Sequence, residues 1–212
     1  GINANKPIVL VPVGLDTADV DEALRVYWQF KVYGENNVAV LDGGMAEWLI
    51  EGRPFDQSAI KTNVAGNWAA KGDLSSQYLA TSEDVAQAIA NQSATTIDAR
   101  DLKSYFGLTK RDYVFSYGHI PGAQLFPVEL MTKTASGAVK FYSAQTYQAL
   151  MEAQGINSSK PVISYCNSGH LASGPWFVAS EVLGNKSARL YDGSMHEWTL
   201  EKRPVEGAVP LN

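Results

Sequence analysis

The chain has one cysteine, Cys166, among its 212 residues. A lone thiol excludes an intrachain disulfide and any cysteine-rich zinc pattern. The three histidines, His119, His170 and His196, lack a short ligand spacing such as His-x-x-x-His, so no metal site is expected. No apolar run approaches the roughly 20 residues that a membrane-spanning helix needs, and no apolar leader stands at the start. Gly1 is not an initiator methionine, which reads as a processed or cut chain. No basic stripe with interleaved aromatics is present and the formal charge is −5, which argues against a nucleic-acid partner. Low-complexity tracts and long charged blocks are missing as well. The 45% of hydrophobic residues is ample for a packed core.

The single thiol sits in Tyr165-Cys166-Asn167-Ser168-Gly169-His170-Leu171-Ala172-Ser173. Before it, Val162 to Tyr165 is apolar and β-prone; after it, Trp176, Phe177, Ala179, Val182 and Leu183 recur at helical spacing from Ala172 to Leu183. A thiol between strand and helix faces a turn of backbone N–H groups, which holds anions and favours a nucleophilic thiolate. A lone buried cysteine also serves as a small apolar filler. The polar, turn-forming residues that follow Cys166 favour the reactive reading.

The sequence also repeats itself. Gly1-Ile2-Asn3-Ala4-Asn5-Lys6-Pro7 returns as Gly155-Ile156-Asn157-Ser158-Ser159-Lys160-Pro161. Leu41-Asp42-Gly43-Gly44-Met45-Ala46-Glu47-Trp48 returns as Tyr191-Asp192-Gly193-Ser194-Met195-His196-Glu197-Trp198. Each copy predicts a strand, loop, helix, strand, Asp-Gly turn and short helix, with Gly34 and Gly184 closing the long helices. Alternating strands and helices imply an α/β fold, a parallel sheet flanked by helices. The second copy is preceded by a helix over 82–91, a strand at 94–97 and a helix over 143–154; the first copy has no such segment before it. Residues 1–56 are therefore expected to be the back half of one domain, 57–72 a linker, and 73–212 a complete domain. A half-sheet exposes an edge and a core face, so a partner segment is expected, either the missing front half or a second chain.

Asp98-Ala99-Arg100, the run Gly118-His119-Ile120-Pro121-Gly122-Ala123, the Cys166 loop and both Asp-Gly-x-x-x-Glu-Trp blocks together resemble the rhodanese (thiosulfate sulfurtransferase) superfamily in its tandem form. The resemblance implies a rhodanese-like fold and a double displacement without a cofactor. Cys166 would take sulfur from a donor as a persulfide and pass it to a thiol or cyanide-like acceptor. Aligning the copies sets Pro12 against Cys166, so the first copy should be catalytically silent and wall the cleft of the second. Asn167, Ser168, Gly169, His170 and Leu171 are the implied substrate loop. Arg100 is either a substrate-anion contact or the structural partner of Asp98. Lys103, Lys110 and Arg111 overhang the cleft, with Arg111 the best anion contact among them. His119 is expected to hold its turn. Ser104 stands where some members place an anion-binding arginine, and the loop is neutral except for His170. Both departures count against efficient thiosulfate turnover. His170 is either a titratable charge beside the persulfide or an exposed loop residue. The neutral loop resembles that of secreted members, which implies a periplasmic setting, with the cytoplasm as the alternative.

Two rivals stand beside this reading. A cysteine phosphatase needs an arginine six positions after the cysteine to clamp phosphate, and Ala172 is there instead. A non-enzymatic rhodanese-like module that binds a partner or relays sulfur remains open. It would be favoured by a thiol buried away from any cleft.

Overall fold

The computed structural model describes residues 1–58 and 64–207. Residues 59–63 of the expected linker, and 208–212, lie outside them. Strands β1 (Ile8–Leu10) and β2 (Val38–Val40) pair in parallel, with helix α1 (Thr17–Val32) between them and α2 (Gly44–Ile50) after them. A second, wholly parallel sheet has β3 (Leu79–Ala80), β9 (Ala188–Tyr191), β8 (Val162–Tyr165), β4 (Thr95–Asp98) and β5 (Gln124–Leu125) in that spatial order. Helix α3 (Ser75–Tyr78) leads into β3, α4 (Ser82–Asn91), α5 (Leu102–Tyr105), α6 (Ala144–Ala153) and α7 (Ser173–Phe177) lie between its strands, and α8 (Ser194–Leu200) follows β9. The expected α/β class is the observed one. No described helix is long and apolar enough to cross a membrane.

Local chemistry accounts for these boundaries. Capping boxes open α1 at Asp16 and Asp19, and α4 at Thr81 and Asp84, each satisfying backbone N–H groups that the first turn leaves unpaired. Gly34 and Gly184 take φ of +79° and +76° just beyond their helices, the left-handed ending that glycine tolerates best. All four residues of β8 are buried, as a central strand with helices on both faces requires.

Three features differ from expectation. The helix predicted from 172 to 183 is shorter: α7 ends at Phe177, and Val178–Val182 forms a π turn in which Leu183 N–H bonds Val178 O at 2.9 Å. A β-hairpin that sequence reading missed, β6 (Lys133–Ala135) with β7 (Ala138–Lys140), turns through Ser136 and Gly137 at φ +55° and +94°. It reaches the first copy, where Val139 N–H bonds Gly14 O at 2.9 Å and Phe141 N–H bonds Asp42 Oδ1 at 2.9 Å. The end of the expected linker is also tied down. Trp68 N–H bonds Ile2 O, Lys71 N–H bonds Tyr33 O, and the Glu35 carboxylate accepts from Trp68 Nε1 at 3.0 Å and Lys71 Nζ at 2.9 Å.

One hydrophobic cluster contains Leu24 and Trp28 of α1 together with Ala172, Trp176 and Cys166. Tyr27 packs edge-on to Phe177 with ring centroids 5.2 Å apart and donates its hydroxyl to Glu181 at 2.7 Å. The first copy's long helix thus lies directly on the segment that follows the cysteine.

Candidate active site

Cys166 occupies the residue after β8, at the carboxyl end of a central strand, where open parallel sheets gather their functional groups. The strand end is braced from beneath. Arg100 Nε and Nη2 bond Asp98 at 2.9 and 2.6 Å, and Nη2 also bonds Gly118 O at 2.8 Å. Tyr165 donates its hydroxyl to Asp98 Oδ2 at 2.9 Å and accepts Ile120 N–H at 3.1 Å. Burial pushes the Tyr165 phenol well above its usual range and keeps it a donor. Of the two expected roles for Arg100, its contacts are those of a strut. Its side chain is buried, and its hydrogen bonds all run to Asp98 and Gly118 rather than toward the loop.

His119 is buried in its turn. Its Nδ1–H bonds Tyr105 O at 2.8 Å, its ring stacks on Tyr105 at 3.8 Å, and its main chain pairs with Glu206. Asp101 caps α5 by accepting the Ser104 N–H and hydroxyl, and Ser104 is buried. Lys110 bonds Val114 O and sits over the Tyr117 ring, whereas Arg111 is exposed and makes no side-chain hydrogen bond among the described residues. Tyr113, Phe115 and Tyr117 are exposed, with Tyr113 O accepting from His196 Nδ1 at 2.7 Å.

The loop itself is built around Ser194. Its Oγ accepts the N–H groups of Cys166 (3.0 Å) and Gly169 (3.1 Å) and donates to Tyr191 O (2.9 Å). Met195 N–H and His196 N–H then bond the carbonyls of Cys166 and Asn167. Ser168 and His170 face solvent, Leu171 packs on the core, and Asn167 is buried with its Oδ1 unpartnered. Among the described residues, no protein acceptor receives the N–H of Asn167, Ser168, His170, Leu171 or Ala172. Preorganised amides of this kind stabilise a negative charge.

The first copy gives a built-in comparison. Met45 N–H bonds Pro12 O and Ala46 N–H bonds Val13 O, the same two contacts that Met195 and His196 make, so the backbone sets Pro12 where Cys166 stands. There the loop amides are occupied. Gly14, Leu15 and Asp16 all donate to the Asp19 carboxylate, at 3.0 to 3.2 Å. One loop thus holds an anion from its own chain, while the other has a thiol and unpaired amides. Gly44, at φ +57°, corresponds to Ser194 at φ +51°. Sequence reading missed Ser194, although a glycine in one copy replaced by serine in the other was the available signal.

The thiol is less open than expected. Cys166 is 2% exposed and belongs to the hydrophobic cluster. An open concavity of about 450 Å³ lies at the opposite end of the sheet, by Thr95, Gln124 and Pro161. Asp21 on α1 is buried beside Gly174 and Met131, with both carboxylate oxygens unpartnered.

The chain thus sets a cysteine-headed loop of unpaired amides at a strand end of a parallel α/β sheet. Residues 81–201 match the Rhodanese-like domain, and the chain belongs to that family. It is 31% identical over 182 residues to the thiosulfate sulfurtransferase of Bos taurus, covering 83% of this chain and 58% of that protein. It is 31% identical over 191 residues to a putative thiosulfate sulfurtransferase of Mycobacterium tuberculosis, covering 87% of this chain and 66% of the relative. The chain thus spans about 58 to 66% of the length of these relatives. Among solved structures, the anaerobic ergothioneine biosynthesis enzyme of Chlorobium limicola, with trimethyl histidine, superposes with a TM-score of 0.81 at 21% identity, over 99% of this chain and 53% of that one. A structure of EanB that carries a cysteine persulfide, with ergothioneine, gives a TM-score of 0.83 at 21% identity over the same shares. These two likenesses concern the fold.

Proposed function

We propose that the protein is a sulfurtransferase that carries sulfur on Cys166. The observation that carries this reading is the contrast between the loops: Asp19 fills amides of the Pro12 loop, while in the Cys166 loop the N–H groups of Asn167, Ser168, His170, Leu171 and Ala172 have no protein acceptor among the described residues. The Cys166 thiolate attacks the outer sulfur of a donor such as thiosulfate. The donor's S–S bond breaks and sulfite leaves with the electron pair, so the cysteine becomes an anionic persulfide. Unpaired loop amides hold the new charge, and a thiophilic acceptor then takes the outer sulfur and restores the thiolate. Thiosulfate sulfurtransferase relatives, and the persulfide in the EanB fold neighbour, support this chemistry. The exposed loop residues Ser168 and His170 flank the entrance under this reading, with Arg111 an exposed cation beside the aromatic stretch.

The 2% exposure of Cys166 favours a second reading, a rhodanese-like module that binds a partner or relays sulfur to a protein. One experiment separates sulfur carriage on Cys166 from partner binding alone. Intact-mass measurement after incubation with thiosulfate, and in parallel with 3-mercaptopyruvate, should reveal an adduct of about 32 Da that cyanide removes and Cys166→Ser lacks. Its absence with both donors, or its persistence in C166S, would falsify the catalytic assignment. The proposal extends to a periplasmic setting, and to a further strand-and-helix segment as the cover of the first copy's exposed face.

A further inference from the structure

The carbonyl at the turn of each loop is held from the other copy. Gly14 O of the first copy accepts Val139 N–H from the hairpin of the second, at 2.9 Å. Gly169 O of the second accepts Arg25 Nη1 from α1 of the first, at 3.3 Å, beside a 3.4 Å bond from its own Ser173 Oγ. The same Nη1 is ion-paired to Asp192, and the guanidinium lies 4.6 Å from the Trp28 ring centroid, which fixes its plane. Gly169 has no room for any other residue: its φ is +85°, and a Cβ would collide with Asp192 Oδ1 and Arg25 Nη1. A trans peptide is planar, so turning the Gly169 carbonyl toward Arg25 points His170 N–H the opposite way. That N–H is one of the unpaired loop amides.

We infer that Arg25 is a positioning residue, supplied by the silent first copy, that sets the Gly169–His170 peptide of the sulfur-carrying loop. The inference rests on the sulfurtransferase reading, so its test has two arms. With Arg25→Ala, the rate of single-turnover sulfur loading at saturating thiosulfate should fall about tenfold, with little change in the donor concentration needed for half-saturation. Iodoacetamide alkylation of Cys166 in the same variant should rise severalfold, because a freed peptide uncovers a thiol that is now 2% exposed. General loosening would instead move alkylation together with the melting temperature. Arg25→Lys keeps the charge and one donor, and should restore part of both rates; it also serves if R25A is too unstable to assay. Wild-type loading rates in R25A would overturn the inference. If the wild-type protein takes up no sulfur from either donor, the sulfurtransferase reading fails and alkylation alone decides: an unchanged rate in R25A overturns the role of Arg25, and a raised one upholds its hold on the loop.

Discussion

Ser194 holds a left-handed backbone that costs a non-glycine residue of the order of 1 kcal/mol, and its counterpart in the first copy is glycine. A side chain there is accounted for by what its hydroxyl does, which is to fasten two amides of the thiol loop. Ser194→Gly relieves the backbone and leaves those amides unpaired. The melting temperature of S194G should stay within a few degrees of wild type while sulfur loading drops about tenfold. A parallel loss of both would mean that Ser194 serves packing alone. At this scale the sequence was partly legible. Cys166 stood out by position, and the tryptophans paired by the repeat have like contacts: Trp48 and Trp198 each donate Nε1 to a proline carbonyl and sit beneath an arginine. Arg25 was not legible, since it meets Gly169 across 144 positions and no local pattern marks it. Arg100 was ambiguous because a strand-end arginine looks the same whether its donors face a ligand or a neighbouring aspartate.

Among the elements, α1 carries the least expected group. Asp21 is 1% exposed, without a hydrogen bond to either oxygen, on the face of α1 that meets Gly174 of α7 and Met131. Burial raises its carboxyl well above the usual range, so the folded state holds that proton more tightly than the unfolded chain does. The sign follows from linkage: its contribution to stability is complete below the ordinary carboxylate range and is lost as pH rises through the folded-state value. Asp21→Asn removes this titration. At pH 8 the variant should melt above wild type, by about 2–4 °C per kcal/mol relieved, with the gap closing toward pH 5. A gap that widens in acid would show that Asp21 is paired as an anion. The helices and central strands were readable from period and caps, and α4 was placed to the residue. The hairpin of β6 and β7 was missed, although Ser136-Gly137 between short alternating strands was a turn signal. The break at Phe177 was missed because a π turn keeps the apolar face that a continuous helix would show.

In the whole molecule, the two copies present the same face to different surroundings. Ile163, Tyr165 and Met195 are 1%, 0% and 0% exposed, packed with Val85, Ala88, Val114 and Ile120 from the segment that precedes the second copy. Their counterparts Val9, Val11 and Met45 are 56%, 48% and 41% exposed, and among the described residues no strand pairs with the outer edge of β1. The exposed face is therefore a core face by composition and a surface by situation, and substitutions on it should act oppositely in the two copies. Ile163→Thr introduces a hydroxyl and removes methyl groups inside a packed core, and should lower stability by about 2–4 kcal/mol. Val9→Thr with Val11→Thr should change the melting temperature hardly at all, since exposed positions contribute within about 0.5 kcal/mol. It should, however, reduce hydrophobic-dye binding and concentration-dependent light scattering, because it breaks a contiguous apolar patch beside an unpaired strand edge. If V9T/V11T unfolds the protein as readily as I163T does, that face is covered in solution, and the segment that covers it should then be sought by crosslinking from positions 9 and 11.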